Sequence, residues 1–281
     1  MSIMVQRVQS PSSINTFKQC PRKYYYQYIL GLQKKVPSIH LTRGKIVHLA
    51  LEDFFKIDIL KISEEYYEFE LKVVLNSLFN QKWQDFSEEL RKIKLTPEQL
   101  DFYYEESIQM LNNWYGNFLR KLNPKIKEMS IESAFSILKP MTEVHFVSPE
   151  FQVQGFVDAV HNIDGKVSLM DYKTSAKELI TQEYKLQLAI YALLYEEQHG
   201  KKPNIVGIDF LKHKPHYLEV NDELIDFAKN ECRSIQEKTI SEDIEDYPLK
   251  TSALCKFCDF YDICFKQRTI FDFDRSDSND S

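Results

Sequence analysis

The stretch that decides the fold is residues 151–191, FQVQGFVDAVHNIDGKVSLMDYKTSAKELITQEYKLQLAIY. Apolar and polar residues alternate on either side of Asp164-Gly165, a pair suited to a tight hairpin turn, so two strands are expected near 151–161 and 166–173. Side chains alternate faces along a strand, so Asp171 and Lys173 share a face and Tyr172 points away. Asp158 lies in the apolar run Gly-Phe-Val-Asp-Ala-Val, where a carboxylate needs a partner. A helix follows over 181–199, ended by Gly200. Gln187 and Tyr191, four apart, are neighbours on its surface.

Outward from this stretch, the period of two predicts further strands near 131–138, 142–147, 205–211 and 216–220. Asn221 is expected to cap a helix running to Lys238. On the N-terminal side, Ser12 or Ser13 caps a short helix ending near Cys20-Pro21. A second helix carries Tyr24, Tyr25, Tyr26 and Tyr28 and stops at Gly31. Residues 42–56 read as an amphipathic helix with His48 beside its apolar stripe. Two long helices are expected over 64–90 and 97–121, the second opened by Thr96-Pro97-Glu98-Gln99, which combines a cap, a proline at the first helical position and a Gln three on. The fold class is α/β, a central mixed sheet flanked by helices with a helical insertion at 57–130.

The 281 residues are 43% hydrophobic and 13% aromatic, enough for a sizeable core. No apolar run reaches the roughly 18–20 residues that cross a membrane, and MSIMVQRVQS lacks the apolar stretch of a signal peptide; a cytoplasmic protein without a membrane partner is expected. The net charge of −6 is unevenly spread. Residues 1–51 contain no Asp or Glu but eight basic residues, Arg7, Lys18, Arg22, Lys23, Lys34, Lys35, Arg43 and Lys45, leaving −14 for the remainder. Such a basic segment with interleaved tyrosines suits nucleic-acid phosphates and bases, the alternative being a solvated face and a packed helix.

Asp158, Asp171 and Lys173 are residue types that hydrolyse phosphodiesters. Two carboxylates on neighbouring strands offer oxygen ligands to a hard cation such as Mg²⁺, and a lysine one strand repeat away can stabilise developing negative charge. The plainer alternative is a strand salt bridge. The five cysteines, Cys20, Cys232, Cys255, Cys258 and Cys264, are an odd number and speak against a disulfide framework. Cys255-x2-Cys258-x5-Cys264 supplies three ligands for one metal centre, with Cys20 and Cys232 competing for the fourth place. Spacing alone does not choose between zinc and an iron–sulfur cluster.

Four separated features, in order over residues 10–267, resemble one family. They are the Ser-Pro-Ser-Ser…Cys20-Pro21-Arg22-Lys23-Tyr24-Tyr25 opening, Gly44-x3-His48, the set Gly155-Phe-Val-Asp158, Asp171-Tyr-Lys173 and Gln187-x3-Tyr191, and the cysteine-rich ending. Together they resemble a RecB-type nuclease of the PD-(D/E)xK superfamily, in the iron–sulfur branch that includes CRISPR-associated RecB-like exonucleases and the AddB nuclease domain. The resemblance implies a restriction-endonuclease-like core forming one domain over 1–270. It implies that His48, Asp158, Asp171 and the Tyr172 carbonyl ligate Mg²⁺ or Mn²⁺, and that Lys173 is catalytic. It further implies that Gln187 and Tyr191 contact DNA, and that Cys20, Cys255, Cys258 and Cys264 hold a 4Fe–4S cluster, the segment 251–267 acting as a staple.

Arg22 and Lys23 are expected to guide single-stranded DNA. The implied activity is a deoxyribonuclease, an exonuclease on single-stranded ends, serving DNA repair, recombination or CRISPR adaptation. Partners would be a separate helicase or CRISPR adaptation proteins. Two rivals are a DNA-binding or adaptor subunit with weak or complex-dependent cleavage, and a zinc-stapled structural protein. The acidic residues 271–281 are expected to be disordered.

Overall fold

The computed structural model describes residues 7–32 and 38–266. Lys34 and Lys35 of the basic segment and the acidic tail at 271–281 lie outside the described residues. In chain order the helices and strands are α1 (Pro11–Gln19), α2 (Pro21–Tyr24), α3 (Ile39–Phe54), α4 (Tyr67–Asp85), α5 (Ser87–Lys92), α6 (Pro97–Ile126) and α7 (Ile131–Leu138), then β1 (Met141–Ser148), β2 (Val153–Ile163), β3 (Lys166–Lys173), α8 (Gln182–His199), β4 (Ile205–Phe210), β5 (Pro215–Glu219), α9 (Asp222–Lys238) and α10 (Tyr261–Phe265). The chain divides into two compact units: 1–35 with 147–155 and 226–281, and 36–146 with 156–225. Among the described residues no helix is long and apolar enough to cross a membrane.

The strands form one five-stranded mixed sheet in the order β1-β2-β3-β4-β5. β2 and β3 are antiparallel, β3 and β4 parallel, β4 and β5 antiparallel. A parallel pair needs a long crossover, and α8 supplies it. At the β2–β3 hairpin Asp164 and Gly165 have φ of 52° and 78°, the two positive angles that a tight primed turn requires. Gly207 in β4 tolerates no side chain: a Cβ there would lie 2.7 Å from the His216 carbonyl oxygen.

The core of the larger unit is helical packing on one face of the sheet. α3 buries Ile46, Val47, Ala50, Leu51 and Phe54, and α6 buries Met110, Leu111, Trp114, Phe118 and Leu122 in the same cluster as Met170 and Tyr172 of β3. The insertion therefore completes the core of this unit rather than standing apart from it. α6 starts at the capping box expected from its sequence, Thr96 with Gln99.

Residues 131–138 are a helix, not the expected strand. Ser130 caps it, accepting a hydrogen bond from the Ser133 N–H, and Ile131, Ala134, Phe135 and Leu138 are buried. That spacing of three and four is the helical period, which so short an apolar run disguises as alternation.

In the smaller unit Ser10, not Ser12 or Ser13, caps α1, in a capping box with Ser13. Its core holds Tyr24, Tyr25, Tyr26, Leu32, Tyr247 and Phe260, with the Tyr24 and Tyr247 rings stacked. Of the two readings of this helix, packing holds for Tyr24, Tyr25 and Tyr26, whose apolar surface is used in the core, while Tyr28 is half-buried.

Candidate active site

The pairing of β2 with β3 runs from Ile163–Lys166 to Ala159–Met170; one further step sets Asp158 opposite Asp171, on one face of the sheet. The Tyr172 N–H donates to Asp158 Oδ2 at 2.6 Å. Asp171 is 2% exposed. Its Oδ1 accepts the Gln187 amide at 2.7 Å and the Tyr191 hydroxyl at 3.4 Å, and the Gln187 amide also reaches Tyr191 Oη at 2.7 Å. Its Oδ2 lies 2.6 Å from Lys173 Nζ, in ion-pair contact yet without an aligned hydrogen bond. The Lys173 ammonium sits over the Tyr184 ring at 5.5 Å.

His48 on α3 completes the group. Its Nδ1 is 3.4 Å from Asp158 Oδ2, and its Nε2 is 3.0 Å from the Tyr172 carbonyl oxygen. A carbonyl only accepts, so Nε2 carries the proton. Glu143 on β1 is a member that the sequence reading missed. Ligand atoms of His48, Glu143 and Asp158 all lie within 4.8 Å of one another. Glu143 has φ of 50°, an angle that a side chain other than glycine rarely adopts and that functional sites tolerate.

The charges are strongly interdependent. Burial works against the ionised form of Asp158, but His48, the Tyr172 N–H and Lys173 outweigh it and hold the carboxyl below its usual range. Burial likewise opposes charge on His48, and the Asp158 carboxylate outweighs it, so the imidazole is raised. Asp171 is pushed up, by burial first and by Asp158 in addition, against the pull of Lys173. Glu143 is raised by partial burial and by the Asp158 charge. Three carboxylates facing one imidazole and one ammonium make a pocket of hard oxygen donors with a deficit of positive charge, and Asp171 Oδ2 is buried without an aligned donor. That donor set fits a divalent cation.

A family model, the PD-(D/E)XK nuclease superfamily, matches residues 9–265. The chain belongs to the PD-(D/E)XK nuclease superfamily. It is 26% identical over 212 residues to an ATP-dependent helicase/deoxyribonuclease subunit of Streptococcus agalactiae, in serotype Ia and serotype V strains alike. The match covers 72% of this chain and 18% of those relatives, so the chain spans under a fifth of their length. A crystal structure of a candidate exonuclease from Eubacterium rectale shares the fold with a TM-score of 0.51 at 13% identity, covering 94% of this chain and 89% of that one.

In this PD-(D/E)XK chain the structure brings together six of the residues expected from sequence: His48, Asp158, Asp171, Lys173, Gln187 and Tyr191. It turns Gln187 and Tyr191 onto Asp171, where Tyr191 is 4% exposed.

The cysteines are described within the smaller unit alone. Cys20, Cys255, Cys258 and Cys264 line one cavity of about 230 Å³ together with Lys23, and none is in a disulfide. Burial and the neighbouring Cys258, Cys20 and Cys255 push Cys264 up to about 11. Cys232 is buried on α9 and is not among the residues lining that cavity, so of the two competitors Cys20 joins the set.

The basic N-terminal residues have local tasks. Arg22 Nε donates to the Tyr247 carbonyl at 2.7 Å, and Lys23 reaches Gln19 at 3.4 Å. Lys18 pairs with Glu231 at 2.7 Å and Arg7 with Glu242 at 3.1 Å. In the larger unit Arg43, only 2% exposed, pairs with Glu106. Arg7, Lys18 and Arg43 are thus paired with acids from later in the chain, whereas Arg22 and Lys23 meet neutral oxygens.

Proposed function

We propose that this chain is a metal-dependent deoxyribonuclease that degrades single-stranded DNA from an end and carries a structural 4Fe–4S cluster. The observation that carries the reading is the row of Asp158 and Asp171 on one sheet face, with Lys173 Nζ 2.6 Å from Asp171 Oδ2 and His48 3.4 Å from Asp158.

In this reading His48, Asp158, Asp171 and the Tyr172 carbonyl hold Mg²⁺ or Mn²⁺, with Glu143 at hand. The ion supplies polarisation of the scissile phosphate and a more acidic water. Lys173, desolvated and fixed between Asp171 and the Tyr184 ring, stabilises the charge that develops on the phosphoryl oxygens. Gln187 and Tyr191 hold Asp171 Oδ1, which fixes the direction of its other oxygen. Of the two, half-buried Gln187 keeps surface for the expected contact with DNA, while Tyr191 is buried. The relatives named as helicase/deoxyribonuclease subunits support DNA as the substrate and a separate motor as partner, in the processing of DNA ends for repair or recombination.

Four cysteines around one cavity, with Lys23 at its wall, suit an anionic cluster held by Cys20, Cys255, Cys258 and Cys264. A single tetrahedral zinc on the same cysteines is the alternative centre. Binding there joins residue 20 to residues 255–264 inside one unit and so contributes to its folding. Cys258→Ser is expected to give colourless, poorly soluble protein after anaerobic purification; a brown, equally stable variant contradicts the staple.

The test of the activity is incubation with end-labelled linear single-stranded DNA and with a closed circle, in Mg²⁺ or Mn²⁺ and in EDTA. Metal-dependent loss of the linear strand with the circle spared is expected. Cutting of the circle would make the enzyme an endonuclease. Tight binding with no degradation in either metal would favour an adaptor role.

A further inference from the structure

Beside the catalytic row lies a second group of basic side chains that the proposed reaction does not use. The β3–β4 and β4–β5 registers place Asp171 opposite Ile208 and Ile208 opposite His216. Asp171, Ile208 and His216 therefore form one row on the same face of the sheet. Two interstrand steps of about 4.8 Å put His216 roughly 10 Å from Asp171. That span is about three nucleotides at a rise of roughly 3.4 Å per nucleotide.

What fills this position is a carboxylate. Glu178, in the segment between β3 and α8, accepts from His216 Nε2 at 2.8 Å, and lies 3.7 Å from His213 Nδ1 and 3.8 Å from Lys214 Nζ. His213 Nε2 also donates to the Ala176 carbonyl at 2.9 Å, so the β4–β5 turn holds the whole segment by one backbone contact and one carboxylate. The Phe210 ring meets His216 edge-on at 5.5 Å and fixes its plane. Two imidazoles and an ammonium converging on one carboxylate form an oxyanion cradle. Its parts remain reachable: the side chains of Glu178, His213 and His216 are 29%, 34% and 32% exposed, and Lys214 is 75% exposed.

We propose that His213, Lys214 and His216 form a phosphate subsite for the DNA strand next to the catalytic face, and that Glu178 is its resident anion, displaced when a backbone phosphate binds. This rests on the nuclease reading above for the identity of the polymer. A phosphodiester offers the cradle the same two-oxygen anion as the carboxylate, and the strand's charge recruits Lys214 fully. The segment released with Glu178 is the one that follows catalytic Lys173, so strand binding and the placing of that segment are linked.

The test is binding of a fluorescein-labelled fifteen-nucleotide oligothymidylate to the full chain in EDTA, where no cleavage occurs. Failure of the nuclease assay and failure of this assay are therefore separate results. Glu178→Gln removes the competitor and is expected to tighten binding about threefold to tenfold. Lys214→Gln is expected to weaken binding and to flatten the dependence of log K on log salt by about 0.7, one phosphate contact on a single strand. In the Glu178→Gln/Lys214→Gln double variant the gain should shrink. Equal or weaker binding by Glu178→Gln, with an unchanged salt slope for Lys214→Gln, overturns the proposal. Thymidine monophosphate at the same phosphate concentration should not displace the oligonucleotide; if it does, the cradle takes a terminal monophosphate and the backbone assignment falls. Thermal unfolding within a few degrees of wild type for the Glu178→Gln variant is also expected, because the pair is surface-accessible; collapse of the fold would make Glu178 a structural brace and contradict the displacement.

Discussion

Asp171 and Asp209 sit on neighbouring strands of the same sheet, both buried, and the sheet treats them in opposite ways. Asp171 is on the face covered by α8, where Gln187, Tyr191 and Lys173 surround it. Asp209 pairs in register with Tyr172, so it lies on the other face, at a cavity of about 40 Å³ lined by Trp114, Lys121, His161, Tyr172 and Tyr217. Its Oδ1 has no hydrogen-bond partner among the described residues, and burial pushes it up to about 6. On the same side burial, with Lys121, pushes His161 down to about 4. Burial costs both carboxylates the same kind of free energy. One face answers with a connected set of donors that also leaves an oxygen for a cation. The other answers only by favouring the neutral acid. A buried carboxylate becomes a site through what surrounds it, not through burial.

The comparison breaks most visibly in activity. Asp171→Ala is expected to lower metal-dependent cleavage by at least about 10³-fold, about 4 kcal/mol of barrier. Asp209→Asn should stay within a few-fold of wild type in the same assay. Equal losses would mean that the two faces are not functionally distinct.

Stability against pH probes the other side. An Asp209 raised above its unfolded value binds more protons in the native state. Wild-type stability therefore falls as pH rises from about 4 to about 6 and stays lower above that range. Asp209→Asn lacks this slope, so denaturant melts should show it gaining up to about 3 kcal/mol on wild type at pH 8 and almost nothing at pH 4. A variant less stable than wild type at pH 8 would show that the carboxylate has a partner there.

A smaller effect sharpens the contrast within the active face. Gln187→Leu removes the donor from Asp171 Oδ1 and should cost about 1–3 kcal/mol in kcat/KM, roughly five- to 150-fold. An unchanged rate would leave Tyr191 and Lys173 as sufficient support.

The sequence made the candidate face legible because its signals are local. The Asp164-Gly165 turn pins the register, and register sets Asp158 against Asp171. The cap at Thr96 and the stop at Gly200, with φ of 67°, each carry their own chemistry. Glu143 escaped because one carboxylate in an alternating strand looks like any solvent-facing residue until β1 is placed beside β2. Residues 131–138 misled because eight residues cannot separate a helical from a strand period when most are apolar. Asp209 gave no signal at all, since its burial follows from α6 covering the back of the sheet. Three charges of the basic first segment pair with acids distant along the chain, such as Glu106 and Glu231, which counting charge in sequence does not show. No change of composition marks 147–155 as belonging to a different compact unit from the strands around it.

The most direct test of the metal-dependent site is nucleotide release from end-labelled single-stranded DNA by anaerobically purified wild type and Asp158→Ala, each with Mn²⁺ and with EDTA. Wild type is expected to release nucleotides in Mn²⁺ alone, and Asp158→Ala to lose that release. Release that survives in Asp158→Ala, or that proceeds in EDTA, would contradict the assignment of this sheet face as a metal-dependent nuclease site.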